Sequence, residues 1–220
     1  MIGAAQVALT AGPLAFYLAV LASWQGGRHP RVVSGPLDFA LLVVGVGGLL
    51  TFGPFGQLMA RALFGKPNVL DWLTLISGEG LIATVLARRA LRRVAVYCVD
   101  AESLSRALRE ALDRGPGRFV ATLAGFEDRV EARGISVEFT PRSRAAVLEA
   151  YGRDPEEFMN DLAPRLQDGL RGVLMPPSPV SWIVSALWGL TTLTFITSLF
   201  LAQPQARAAL RALLQRLNGV

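Results

Sequence analysis

Four apolar runs organise this chain: residues 7–24, 39–60, 69–87 and 180–201, each 18 to 22 residues long. At 1.5 Å per residue, eighteen helical residues just cross a hydrocarbon core of about 30 Å. The expected architecture is therefore an integral membrane protein with α-helical spans. The long stretch between the third and fourth runs is left for a small α+β extramembrane domain. Composition agrees with a mixture: 52% apolar residues, 18% charged and a mean hydropathy of +0.41 lie between a soluble domain and a pure helical bundle.

Charge is divided along the same lines. Residues 94–173 carry a net −3 and the remainder +8. A pI near 10.3 could suggest nucleic-acid binding. The basic excess instead flanks the apolar runs, which points to a lipid bilayer with anionic headgroups as the partner and to no nucleic acid. No Lys or Arg precedes Arg28, so a basic n-region of a cleavable signal peptide is not expected.

The run 39–60 is rich in glycine and contains Pro54, which can kink a helix where neighbours satisfy the freed carbonyl. The run 180–201 has no charge and places Ser181, Ser185 and Gly189 four residues apart. Small residues so spaced admit a close helix neighbour. Packing within the chain is the expected use, with a homo-oligomer face as the alternative.

The run 69–87 holds Glu79 near its middle, between Gly78 and Gly80, and is followed by Arg88, Arg89, Arg92 and Arg93. An acidic residue at mid-span costs roughly 2.5–3.5 kcal/mol, and the aliphatic residues around it about cancel that. A surface helix should instead gather its charges on one face, and Asp71, Glu79, Arg88 and Arg89 do not form one. The reading is thus a marginal span needing partner helices, closed by arginines in contact with lipid headgroups. An intramembrane ionisable residue is a candidate ion or proton site by default, yet no other span offers an acid, His or Lys as relay.

Three parts follow: a membrane region over 1–93, a water-facing domain over 94–175, and a last span with an amphipathic tail over 176–220. In the domain, "VAVYCV" at 94–99 reads as a strand. Asp100 can cap a helix whose apolar face is Leu104, Leu108, Ala111 and Leu112. "RFVATLAGF", "DRVEA" and "GISVEFT" read as strands joined by hairpins, with Glu127 and Asp128 at a solvated turn. Residues 140–158 suit either a helix or a strand followed by a helix. An internal match decides for the strand: shifting Tyr97, Asp100, Glu102, Leu104, Leu108, Leu112 and Gly115 by 54 gives Tyr151, Asp154, Glu156, Phe158, Leu162, Leu166 and Gly169. The predicted order is β-α-β-β-β-α with a duplicated strand–helix unit. Asp154 should cap the second helix and Pro164 should kink or split it. After Pro204, Leu210, Leu213, Leu214 and Leu217 oppose Arg207 and Arg211, as in an interfacial helix.

Little chemistry is available. His29 is the only histidine and Cys98 the only cysteine, which leaves no zinc site of the usual kind, no disulfide and no nucleophile–histidine pair. Cys98 in an apolar strand should be a buried, inert thiol. "GPGRF" at 115–119 lacks the lysine of a phosphate-binding loop. No catalytic residue, cofactor or metal is expected. The functional expectation is a non-enzymatic, membrane-tethered interaction or sensing module with a cytoplasmic domain in the plasma membrane. The alternative is a small oligomeric transport or channel-like protein built around Glu79.

Overall fold

The computed structural model describes residues 4–66, 68–128 and 130–202. The predicted tail helix after Pro204 lies outside them. The described residues form two compact units, a helical one over 4–19, 42–80 and 185–202, and an α+β one over 20–41 and 81–184.

Five helices correspond to the four apolar runs: α1 (Ala4–Gln25), α2 (Gly35–Phe52), α3 (Pro54–Phe64), α4 (Val69–Ala90) and α7 (Ser181–Ala202). Three of them, α1, α4 and α7, are long and apolar enough to cross a membrane, and α2 with α3 makes a fourth if the pair counts as one span. The run 39–60 is not one kinked helix. It breaks into α2 and α3, whose axes are bent by 52°. Gly53 is extended there, with φ −75° and ψ −177°, and Pro54 opens α3 at a position where no N–H is needed. Within the helical unit, glycines mark the close approaches. A side chain on Gly12 would stand 3.0 Å from the Phe195 ring, and one on Gly48 would stand 3.2 Å from the Leu9 carbonyl.

The α+β unit is one antiparallel sheet of six strands in the order β1-β2-β6-β5-β4-β3. Its strands are β1 (Arg31–Ser34), β2 (Arg93–Tyr97), β3 (Val120–Ala121), β4 (Gly125–Asp128), β5 (Arg133–Thr140) and β6 (Ala145–Gly152). Helices α5 (Ala101–Asp113) and α6 (Pro155–Gly169) contribute to one buried core with it. Val94, Val96, Ile135, Ala146, Leu148 and Ala150 from the sheet meet Leu104, Leu108, Leu112, Phe158, Leu162 and Leu166 from the helices. Alternation in β5 and β6 puts every second residue into this core, as a half-buried strand requires.

Several expectations change. Strand β1 was not foreseen. It pairs with β2 from Arg31↔Tyr97 to Ser34↔Val94, so the sheet reaches back across α2, α3 and α4 to a segment before them. The boundary at 94 therefore cuts through the sheet. Of "DRVEA", Asp128 ends β4, and the chain turns at residues 130–132. Glu127 and Asp128 are not at a solvated turn but in β4, paired with Gly134 and Arg133, and Asp128 is fully buried. Residues 145–152 are a strand, as the internal match indicated. Asp100 caps α5, its side chain accepting from the Ser103 N–H at 2.7 Å. Asp154 stands at the equivalent place in α6 but makes no side-chain cap, because its backbone is left-handed at φ 42°. Pro164 does not interrupt α6.

The 54-residue shift has a geometric meaning. Strands β2 and β6 are neighbours, and their register pairs Val94 with Leu148, its own counterpart. The flanking pair Arg93↔Glu149 likewise maps onto Ala95↔Val147, read from the opposite strand. A pseudo-twofold axis thus passes between the two strands. Strand β5 beside β6 then corresponds to β1 beside β2, since Tyr151 pairs with Gly134 and Tyr97 with Arg31. The repeated unit is strand–strand–helix. In one copy the two strands are joined by the short turn 141–144; in the other, α2, α3 and α4 are inserted between them.

Candidate functional sites

Glu79 lies in α4, partly exposed, and accepts a hydrogen bond from the Thr51 hydroxyl of α2. The same hydroxyl lies 2.9 Å from the Gly47 carbonyl one turn back. A polar group of a neighbouring span is the bland expectation for such a glutamate, and the neutral Thr51 of a glycine-rich run is that group here. Beside Glu79, no atom of another element approaches the Cβ direction of Gly78 within 4 Å.

The arginine cluster is divided. Arg88 and Arg89 stand exposed on the last turn of α4. Arg92 is 3.8 Å from Glu156, and Arg93 lies in β2 and binds Glu149 of β6 across the ladder, with Nη2 at 2.6 Å and Nε at 3.0 Å. Those two arginines face carboxylates of the α+β unit. In α7, Ser185 and Gly189 are exposed, and nothing lies within 4 Å where a Cβ of Gly189 would be. Among the described residues of α7, Val184 and Ser198 are buried, and the stripe Ser181, Ser185 and Gly189 is not.

His29 is exposed in the loop before β1. Cys98 is buried just past the end of β2, in a left-handed conformation at φ 58°, where its counterpart under the shift is Gly152 at φ 91°. Its thiol donates to the Gly27 carbonyl at 3.0 Å. Around it the segments following α1 and preceding α7 run together: Met175 N–H donates to the Arg28 carbonyl at 2.8 Å and Ser178 N–H to that of Gln25 at 3.0 Å. Arg144 reaches the Pro176 carbonyl, Trp24 packs on the Tyr97 ring at 5.2 Å, and the Tyr97 hydroxyl donates to Asp38 at 2.7 Å. Burial pushes the Cys98 thiol above its usual range, and the charge of Arg144 offsets this only in part. A thiol so held stays protonated and unreactive. It is a structural clasp.

The α+β unit holds an open groove of about 710 Å³. It runs between the end of α5, the turn 130–132 and the start of α6, with Phe119 and Phe158 in its lining. Those rings are stacked at 5.5 Å, and the Arg133 guanidinium lies over both, 5.5 and 4.9 Å from their centroids. Arg133 also pairs with Glu131 at 2.8 Å and donates to the Pro116 carbonyl. Behind it, Asp128 Oδ1 accepts from the Val130 N–H at 3.0 Å, while its Oδ2 has no hydrogen-bond partner among the described residues. Gly117, at φ 116°, has no room for a side chain beside that oxygen. Nothing in the sequence pattern singled out Arg133 or Phe119. A cue lay in "GPGRF", whose Gly115 lines the groove and whose Gly117 lies against Asp128.

No group of three or more His, Cys, Asp or Glu side chains is placed to hold a metal among the described residues. No protein-family model, curated protein or solved structure matches the chain.

Proposed function

We propose that this chain is a multi-pass protein of the plasma membrane whose α+β unit serves, without catalysis, as a cytoplasmic interaction or sensing module. One observation carries the reading. Within the chain, α4 has no buried residue along its apolar window, and Leu70, Leu73, Leu81, Ile82 and Val85 are all more than half exposed. Water is a poor solvent for such a helix, and hydrocarbon a good one. The β1–β2 pairing adds a constraint on crossings. Both strands belong to one sheet, so the chain between Ser34 and Arg93 must return to the side it left. Hence α2–α3 and α4 cross as a pair or not at all, and Arg28 and Arg31 stand on the sheet's side with Arg88, Arg89, Arg92, Arg93 and Arg171. With the pair crossing, Arg61, Lys66, Arg207, Arg211 and Arg216 fall opposite these seven, a bias that favours a cytoplasmic sheet under the positive-inside rule. Reporter fusions test this. One placed at Lys66 is expected to read outside, as are those at Met1 and Val220, while one at Arg142 reads inside. A cytoplasmic signal at Lys66 would place α4 on the surface and end the spanning reading.

The Thr51–Glu79 contact favours a second reading, transport. A single hydroxyl proton there faces two acceptors, Gly47 O and Glu79 Oε2, an arrangement that leaves room for another proton. Under that reading Glu79→Gln abolishes a pH-dependent flux in proteoliposomes while insertion is retained. Equal flux, or none, in both proteins counts against it.

A further inference from the structure

The two copies of the strand–strand–helix unit differ most where the groove opens. At one end of the helix pair, Gly169 of α6 meets Ala107 of α5, with 3.4 Å between a Cβ on the glycine and the alanine Cβ, and Ala111 is buried one turn on. The counterparts of Gly169, Ala107 and Ala111 are Gly115, Asp161 and Arg165. There two small side chains give way to an i,i+4 ion pair, and the Arg165 guanidinium takes the place over Gly115 that the alanine holds at the other end. Gly115, Asp161 and Arg165 all line the groove.

What the groove offers follows from depth. Its guanidiniums are sunk, the Arg133 side chain 12% exposed and that of Arg165 23%, and each is already paired with a carboxylate. The carboxylates stand higher: the side chain of Asp161 is 58% exposed and that of Asp154 72%, with Glu131 and Glu157 on the same rim. Among the described residues lining the groove, Arg153 is the exposed cation against these four, and it pairs with Asp154. No ion pair holds Glu157 among the described residues. Below the rim lie the apolar Leu112, Phe119 and Phe158, and behind them the buried Asp128, whose Oδ2 is 4.0 Å from the Arg133 Nε. An approaching molecule meets an acidic rim over an aromatic floor.

We infer that this groove is a docking site for a short, basic and partly apolar peptide segment of a partner protein. The inference rests on the reading of the chain as an interaction module and names the partner's chemistry. Arginine or lysine side chains would lie against Glu131, Glu157 and Asp161, and an apolar side chain between them would reach the phenyl rings. A volume of about 710 Å³ suits several side chains of an extended segment and not a folded domain.

The test uses the full chain in nanodiscs of zwitterionic lipid. Its probes are fluorescein-labelled hexapeptides alternating leucine with arginine or leucine with glutamate, read by anisotropy. The arginine peptide is expected to bind and the glutamate peptide not. Glu131→Lys with Glu157→Lys should weaken binding roughly tenfold or more. The same reversal at Glu102 and Glu110, exposed on α5 outside the groove, should leave it unchanged. Asp161→Ala with Arg165→Ala restores the alanine pair of the other copy. It should close the groove, abolish binding and raise the thermal midpoint. Equal binding of both peptides, no binding of the arginine peptide, or equal loss in the two charge-reversal variants overturns the proposal. So does full displacement by arginine amide at the peptide's own affinity, which would make this a small-cation site. An alkaline wash of the nanodiscs' parent membranes reports separately on anchoring. Protein released by it that still binds the arginine peptide would remove the membrane reading and leave the groove standing.

Discussion

Replacing Leu108 with aspartate is expected to unfold the α+β unit. Leu108 is almost wholly buried, in the middle of the α5 face, and its counterpart Leu162 fills the same place in α6. Removing the side chain to alanine already costs about 2–5 kcal/mol at such sites. An unpaired carboxylate in its place adds a desolvation penalty of several kcal/mol, against a total stability of about 5–15 kcal/mol. Arg109→Asp, one residue on and exposed, is expected to change stability by no more than about 0.5 kcal/mol. Near-ultraviolet circular dichroism and limited proteolysis of the full chain separate the two. A Leu108→Asp protein with native dichroism and native protease resistance would mean that the core described here is not the one that holds the unit together.

The second large effect concerns the borders of that unit. A fragment spanning 94–175 is expected to aggregate, whereas residues 24–178 with 36–92 replaced by an Asn-Gly turn should be a soluble, folded monomer. The difference is β1. Without it the N–H and C=O groups on one edge of β2 are bare, an invitation to pairing between molecules. The buried Val33 is lost, and so is the bond from the Val32 N–H to Gln167 Oε1 at 2.9 Å that ties β1 to α6. The fragment also lacks Gly27 and Pro176, the carbonyls around Cys98 and Arg144. The Asn-Gly turn is suited to a two-residue hairpin and closes the β1–β2 ladder where α2 and α4 now leave it. Gel filtration and far-ultraviolet dichroism of both proteins decide the matter. A monomeric, mixed helix-and-strand 94–175 would show that β1 is dispensable.

Sequence patterns exposed those parts of the fold whose signals are local. The apolar runs, the alternation of Ile135, Val137 and Phe139, and the cap at Asp100 each depend on neighbours within one element. The 54-residue match between Tyr97–Gly115 and Tyr151–Gly169 was also legible, and it resolved β6 correctly. Strand β1 was not, because "RVVS" is four residues long and its partner lies some sixty residues away, beyond three helices. Asp128 was misplaced because an acidic pair beside glycine has the composition of a turn, and only tertiary pairing with Arg133 buries it. Which polar group of a neighbouring span meets Glu79 was not legible, because Thr51 is one of several hydroxyl residues in the apolar runs. The groove lay in what the two repeats do not share: the match was read for its likenesses, while Asp161 and Arg165 against Ala107 and Ala111 are its differences.

The insertion of three helices into one hairpin has a mechanical consequence. Helix α2 begins at Gly35 directly after β1, and α4 ends at Ala90, two residues before β2. Gly35 sits against the carbonyls of Ala90 and Arg93, with no space for a side chain. Both helices therefore pull on the same end of the β1–β2 ladder, at the pair Ser34↔Val94. A load that draws them apart does not shear the ladder, which would strain all its hydrogen bonds together. It peels the strands from that end and breaks the pairs one after another, the direction in which an antiparallel hairpin resists least.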